Sequence, residues 1–235
     1  MRNILYRIVL ILLSIAAFSC TQKEVDEYGY LSVSVSEEID ADIVVKSEAE
    51  GEGTESDGGE DAGPEVIYSI KVVDSEGKVD AEVADHRTIE TTPVSLLMGR
   101  YDVIASNGEE GSGFNSPRWG GENSVRIWAD QQASVDITCT MKKVMFSVSF
   151  PEDDEFKSKF PSYSLSVRAG ESEDADVLVF SNSPKEGEGS FSDVAYFEVP
   201  SDRKIIYTLY VTNADGVQYS SAGQVEQVSA AEHYH

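Results

Sequence analysis

The side chains best suited to catalysis are sparse in this sequence and poorly spaced. Its three histidines are His86, His233 and His235, too few and too scattered for a nucleophile, a base and an orienting group to be assembled. His233 and His235 share one face of an extended tail and could contact one cation. Two ligands at a chain end make a weak site, so no metal is expected there. The pairs Asp153-Asp154 and Glu173-Asp174 supply the carboxylates that glycoside hydrolysis uses, but a chain with 43 acidic residues produces such pairs by composition alone. No catalytic residue is assigned, no cofactor is implied, and the reading is of a protein that is not an enzyme. The acidic trio Asp57, Glu60 and Asp61 lies beside glycines, but it lacks the alternate ligand positions and terminal bidentate Glu of a calcium loop.

Two other groups of residues point to chemistry. Residues 107–123 hold Phe114, Asn115, Arg118 and Trp119 among several glycines. Aromatic rings beside an amide and a guanidinium can stack on sugar rings or anchor a protein partner. The same rings can instead fold back over the end of a sandwich, and the sequence leaves both readings open. The second group is Cys20. Arg2 and Arg7 precede an apolar run from Ile8 that reaches Ala17, Phe18, Ser19 and Cys20. This is the charged start, apolar middle and small-residue end of a secretory signal, and it falls short of the roughly 20 apolar residues a permanent span needs. Small residues before the cysteine admit a peptidase, and its thiol is the nucleophile that takes a diacylglyceryl group. The pattern resembles a bacterial lipobox, with Ala17 where that motif prefers leucine. Residues 1–19 are therefore read as a lipoprotein signal peptide and residues 20–27 as an acidic tether, with the membrane as a partner through lipid on Cys20.

The formal net charge of −25 opposes binding to phosphate backbones, which excludes a nucleic-acid partner. With Cys20 acylated, Cys139 has no partner for a disulfide. It lies on the apolar side of an alternating run, where a cysteine packs as a small hydrophobe.

The elements that would position these groups are strands. Leu31, Val33 and Val35 alternate with Ser32, Ser34 and Ser36 over residues 28–36, and Ile43 to Val45 form a short apolar group that continues or pairs with them. Residues 47–65 carry eight acidic residues and five glycines with no Lys or Arg, too little apolar surface to offset backbone entropy, so a disordered loop is expected there. Alternation resumes at Tyr68, Ile70 and Val72 and, beyond Asp74-Ser75-Glu76-Gly77-Lys78, at Val79, Ala81 and Val83, which predicts a hairpin. Residues 93–106 predict a second strand pair turning at Gly99, and residues 124–128 and 133–141 two more strands. The second half repeats the pattern from Val144, with strands predicted near 163–167, 177–180, 190–199, 205–212 and 217–225, and one short helix at 152–160. The fold class is all-β: two antiparallel β-sandwich domains, at residues 28–141 and 142–235, the second incomplete if the tail at Glu232 to His235 starts a further strand.

The segment Gly29 to Val35 behind a lipoprotein linker, then Asp85-His86-Arg87, Met98 to Ser106, Phe114-Asn115-Ser116-Pro117, Trp119 and Gly121-Glu122 resemble a family of unknown function among Bacteroidetes lipoproteins. That family is similar in architecture to the fimbrillins, whose two sandwiches are transthyretin-like. The resemblance implies an outer-membrane, surface-exposed lipoprotein acting as an adhesin, pilus component or pilus anchor. It also implies subunits that assemble by β-strand exchange after cleavage behind a basic residue. Here Lys46 occupies that place and is the candidate processing site, with Lys where Arg is more usual. A carbohydrate-binding accessory lipoprotein, taking a glycan on Phe114 and Trp119, is the alternative.

Overall fold

The computed structural model describes residues 27–38, 45–46, 66–149 and 154–235. The signal peptide, Cys20, the tether up to residue 26, Ile43 and Val44, the acidic segment 47–65 and Phe150 to Asp153 lie outside the described residues.

The serine-valine alternation forms β1 (Tyr28–Glu37), with Leu31 and Val33 fully buried at 0% and 1% exposure and the serines turned outward. Val45 does not extend or pair with β1. It belongs to β2 (Val45–Lys46), which runs parallel to the last strand of the chain. The predicted hairpin is β3 (Ser69–Asp74) and β4 (Val79–Val83). Gly77 takes a φ of 85° in its turn, and the Asp74 carboxylate accepts from the Glu76 and Lys78 amides at 2.8 and 2.9 Å.

A one-and-a-half-turn helix follows, α1 (His86–Thr91), which the strand pattern did not predict. Asp85 caps it by accepting from the Arg87 amide, and Ile89 anchors it to the core. Gly99 does not turn a hairpin. It is the first residue of β6 (Gly99–Asn107), directly after β5 (Val94–Leu97), and the two strands have different partners. β5 pairs with β1, whereas β6 lies between β3 and β8 (Trp119–Ile127). The chain thus changes layer at Met98 instead of folding back on itself.

The hydrogen-bonded order β4-β3-β6-β8-β9-β1-β5 is continuous only through Trp119↔Met141 and Gly120↔Thr140, where β8 meets β9 (Gln132–Met141). Away from that corner the strands form two facing layers. Between them lie Leu31, Val33, Tyr68, Ile70, Val72, Ile89, Val103, Ile137 and Cys139. Burial pushes the Cys139 thiol up to about 11, so this cysteine packs as a hydrophobe and not as a reactive thiol.

A second core gathers Val144, Phe146, Leu165, Val167, Phe180, Phe197, Ile205 and Tyr234. One layer is β12 (Val177–Ser181), β11 (Ser162–Ala169), β14 (Lys204–Thr212) and β15 (Gln218–Glu226) in that order. The other runs β2, β16 (His233–Tyr234), β10 (Lys143–Phe146), β13 (Ala195–Glu198) and β7 (Gly113–Phe114). The predicted helix near 152–160 is α2 (Asp154–Lys159). The tail does not open an edge in this order, because β16 sits between β10 and β2 and runs parallel to both.

Candidate functional site

The glycine-rich loop that carries the candidate contact residues leaves the first core and docks on the second. Gly113 and Phe114 add β7 to the edge of β13. The Phe114 ring meets Phe180 edge-on at 5.0 Å between centroids, over Gly189, where any Cβ would fall 2.5 Å from the ring. Asn115 is exposed, but its amide donates to Asp193 Oδ1 at 2.8 Å and its carbonyl oxygen accepts from the Val194 amide at 3.2 Å. The Asn115 hydrogen bond, with those from Ser190, holds the Asp193 carboxyl below the usual carboxylate range. Arg118 bridges Glu110 at 2.9 Å and Glu198 at 3.4 Å. Gly111 N also donates to Glu198, and Ser112 to Asp176 at 2.7 Å.

Trp119 goes the other way. As the first residue of β8 it packs against the first core, while Phe114 packs against the second. The structure therefore brings Phe114, Asn115 and Arg118 together as a brace between the cores and places Trp119 apart from them. Behind the brace, the fully buried Lys143 donates to the Ser116 carbonyl at 2.8 Å. Burial holds its ammonium pKa below the ordinary range, against the pull of Glu198. The sequence shows Lys143 only as one of two consecutive lysines beside an apolar run; nothing local marks it as the buried one.

The last two histidines, His233 and His235, converge on the serines that directly follow β10. Ser147 Oγ lies 2.7 Å from His233 Nε2 and 2.8 Å from His235 Nδ1, and Ser149 Oγ lies 2.8 Å from His235 Nε2. This hydroxyl-imidazole ladder clips the end of β16 to the segment that follows β10. Among the described residues no group of three or more His, Cys, Asp or Glu side chains could hold a metal ion. Burial, and secondarily His235, lowers the pKa of His233 below its ordinary 6.5. Below that pH the unfolded chain takes up a proton that the folded chain resists, so stability is present above pH 6.5 and lost as the pH falls through the lowered value. Thermal unfolding followed between pH 7 and about pH 5 is expected to shift to lower temperature on acidification, and His233→Gln to flatten that dependence.

The remaining candidate is the slot that β1 fills. β1 lies between β5, which is antiparallel to it, and β9, which is parallel over eight residue pairs from Tyr30↔Gln132 to Glu37↔Cys139. Between β1 and β3 in the chain lies β2, whose Lys46 pairs through its backbone with Tyr234 of β16 in the second core. Lys46 is the only basic residue between Lys23 and Lys71.

The model of DUF4493, a domain of unknown function, matches residues 27–235. The chain belongs to this family. The match begins one residue before β1 and takes in both cores, so the DUF4493 region includes the N-terminal strand and the C-terminal clip alike. No curated protein matches the chain. Among solved structures, a proposed polysaccharide-binding protein (DUF1812) of Bacteroides thetaiotaomicron is 15% identical, with 81% of this chain and 78% of that one covered and a TM-score of 0.41. A proposed adhesin of Bacteroides ovatus is 13% identical over 83% and 75% of the two chains, with a TM-score of 0.43. A proposed cell adhesion protein of Bacteroides eggerthii is 11% identical over 85% and 79%, with a TM-score of 0.41. Among the described residues of this DUF4493 protein no helix is long and apolar enough to cross a membrane.

Proposed function

We propose that the protein is a non-enzymatic cell-surface lipoprotein, held in the outer membrane through Cys20, that works as a fimbrillin-like adhesin, pilus component or pilus anchor with β1 as its exchangeable strand. The observation that carries this reading is the slot itself. β1 is interior to the hydrogen-bonded order and supplies two fully buried side chains, yet it is joined to β3 only through a long segment with one basic residue in it. Removing such a strand unfastens one row of backbone partners on each side, and an extended segment of another subunit can fill the same row.

The test is surface proteolysis of intact cells followed by N-terminal analysis of the protein. A chain removed from the surface by added protease supports display; a mature N-terminus at Ser47 together with a ladder of subunits identifies a polymerising form. A lipid-blocked Cys20 identifies a tethered adhesin or anchor. Complete protection in intact cells sinks the surface reading.

A further inference from the structure

One end of the first core is built differently from the rest of its surface. Here β1 begins, β5 ends, β6 begins, β8 ends and β9 begins, and the β3–β4 turn closes the same end. Tyr28, Tyr30, Val79, Leu97, Met98 and Trp128 stand on its rim, each between 41 and 52% exposed. Ile67, the other large apolar side chain exposed in this half, is next to the start of β3 at the opposite end. Tyr28 and Leu97 are cross-strand partners and so share a face, and Tyr30 is the next outward residue along β1. The Arg126 guanidinium lies 4.2 Å above the Trp128 ring, and Arg100 is its cross-strand neighbour. Two tyrosines, a tryptophan and a methionine at outward positions, with a stacked arginine, match the amphipathic side chains that collect at a membrane-water interface.

The chain itself says which surface meets this rim. From Cys20 to Tyr28 is eight residues, at most about 29 Å when fully extended, and the rim is where that segment enters the fold. A lipid on Cys20 would keep this end of the first core within that distance of the bilayer. We propose that the rim of Tyr28, Tyr30, Leu97, Met98 and Trp128 is a membrane-seating surface that rests in the headgroup layer of the bilayer carrying the Cys20 lipid, with Arg126 facing lipid phosphates. The proposal rests on the reading of Cys20 as the lipid-bearing residue. Seating is weak for the free chain, whose net charge of −25 opposes anionic lipid. It becomes effective once the short tether makes it an intramolecular event.

The experiment uses the chain from Cys20 onward, which contains every described residue, with Trp119→Phe so that Trp128 is its only tryptophan. Cys20 is coupled to a maleimide lipid in phosphatidylcholine vesicles; the buried Cys139 stays unreacted. Bromine-labelled lipid is expected to quench Trp128 emission at least twofold relative to unlabelled lipid. The combined variant Tyr28→Ser, Tyr30→Ser, Leu97→Ser and Met98→Ser should remove most of that quenching. Inserting about 40 Gly/Ser residues between Lys23 and Glu24 should weaken it severalfold without altering any folded residue. Equal emission in labelled and unlabelled vesicles overturns the proposal. So does sedimentation of the unanchored chain as a dimer that the serine variant dissociates, which would assign the rim to a second copy. Labelling of the wild-type protein and Cys20→Ser with radioactive palmitate tests the lipid attachment separately, because the maleimide link supplies an anchor whether or not cells do.

Discussion

Leu31→Ala is expected to lower the unfolding free energy by about 3 kcal/mol, within the range of roughly 2–5 kcal/mol for buried Leu→Ala substitutions. Leu31 is fully enclosed in the first core, and its neighbours on β5 and β9 are fixed by backbone ladders on both sides of β1, so the cavity cannot close by local collapse. Chemical denaturation of the whole chain measures the effect. The same side chain decides how tightly β1 is held once the covalent link is cut. Burial of Leu31 and Val33 contributes about 1.5–3 kcal/mol each, a large part of the 5–15 kcal/mol that holds a typical domain together. A chain cut behind Lys46 should therefore keep β1 bound under native conditions and lose it in mild denaturant. With Leu31→Ala the strand should dissociate without denaturant, and an added peptide of residues 28–37 should restore the unfolding midpoint of the wild-type cut chain. Equal retention of the strand by both cut forms would remove β1 from the role assigned to it.

Phe114→Ala should cost about 2 kcal/mol, less than a fully enclosed phenylalanine because one edge of the ring is accessible. Its larger effect is on the brace, since the ring is the apolar contact that seats β7 on Phe180 and Gly189 and leaves only polar and backbone bonds when removed. Glutamate-specific proteolysis at Glu109 and Glu110 should accelerate at least tenfold. Gly189→Ala attacks the same contact from the other side. Its methyl would overlap the ring, and the strain should cost about 1–3 kcal/mol. Combining the two gives the sharper test: with Phe114 shortened, the added methyl meets no ring, so the double variant should be no less stable than Phe114→Ala alone. Additive losses in that cycle would show that Phe114 and Gly189 do not share a contact.

The sequence showed the strands because alternation marks a half-buried extended segment wherever it occurs. Residues 28–36, 205–212 and 217–225 became β1, β14 and β15 with ends shifted by about one residue. It did not show which strands pair. Residues 93–106 read as a hairpin because two apolar runs flank a glycine, but the turn residue Gly99 is in extended backbone and its two strands join opposite layers. α1 escaped because six residues are too few for helical periodicity, and only the Asp85 cap announced it. Phe114, Asn115 and Arg118 were legible as one loop group, with contact to a partner and folding back over a sandwich end both left open. Their partners Phe180, Asp193 and Glu198 lie more than sixty positions downstream, and single-sequence patterning carries no signal over that distance. Tyr28 and Tyr30 were legible as outward residues of a strand, but the rim they share with Leu97, Met98 and Trp128 exists only once the layers are stacked.

The parallel pairing of β1 with β9 also sets an order of events during folding. Tyr30 meets Gln132 across roughly 100 intervening residues, a loop-closure cost that slows the contact relative to the β3–β4 hairpin. β1 precedes both of its partners in the chain, so its two ladders are expected to close only after β5 and β9 have been made. Until β1 docks, the first core lacks Leu31 and Val33 and the row between β5 and β9 is unfilled. Under the strand-exchange reading proposed above, the row that closes late in folding is the same row a neighbour's strand would fill.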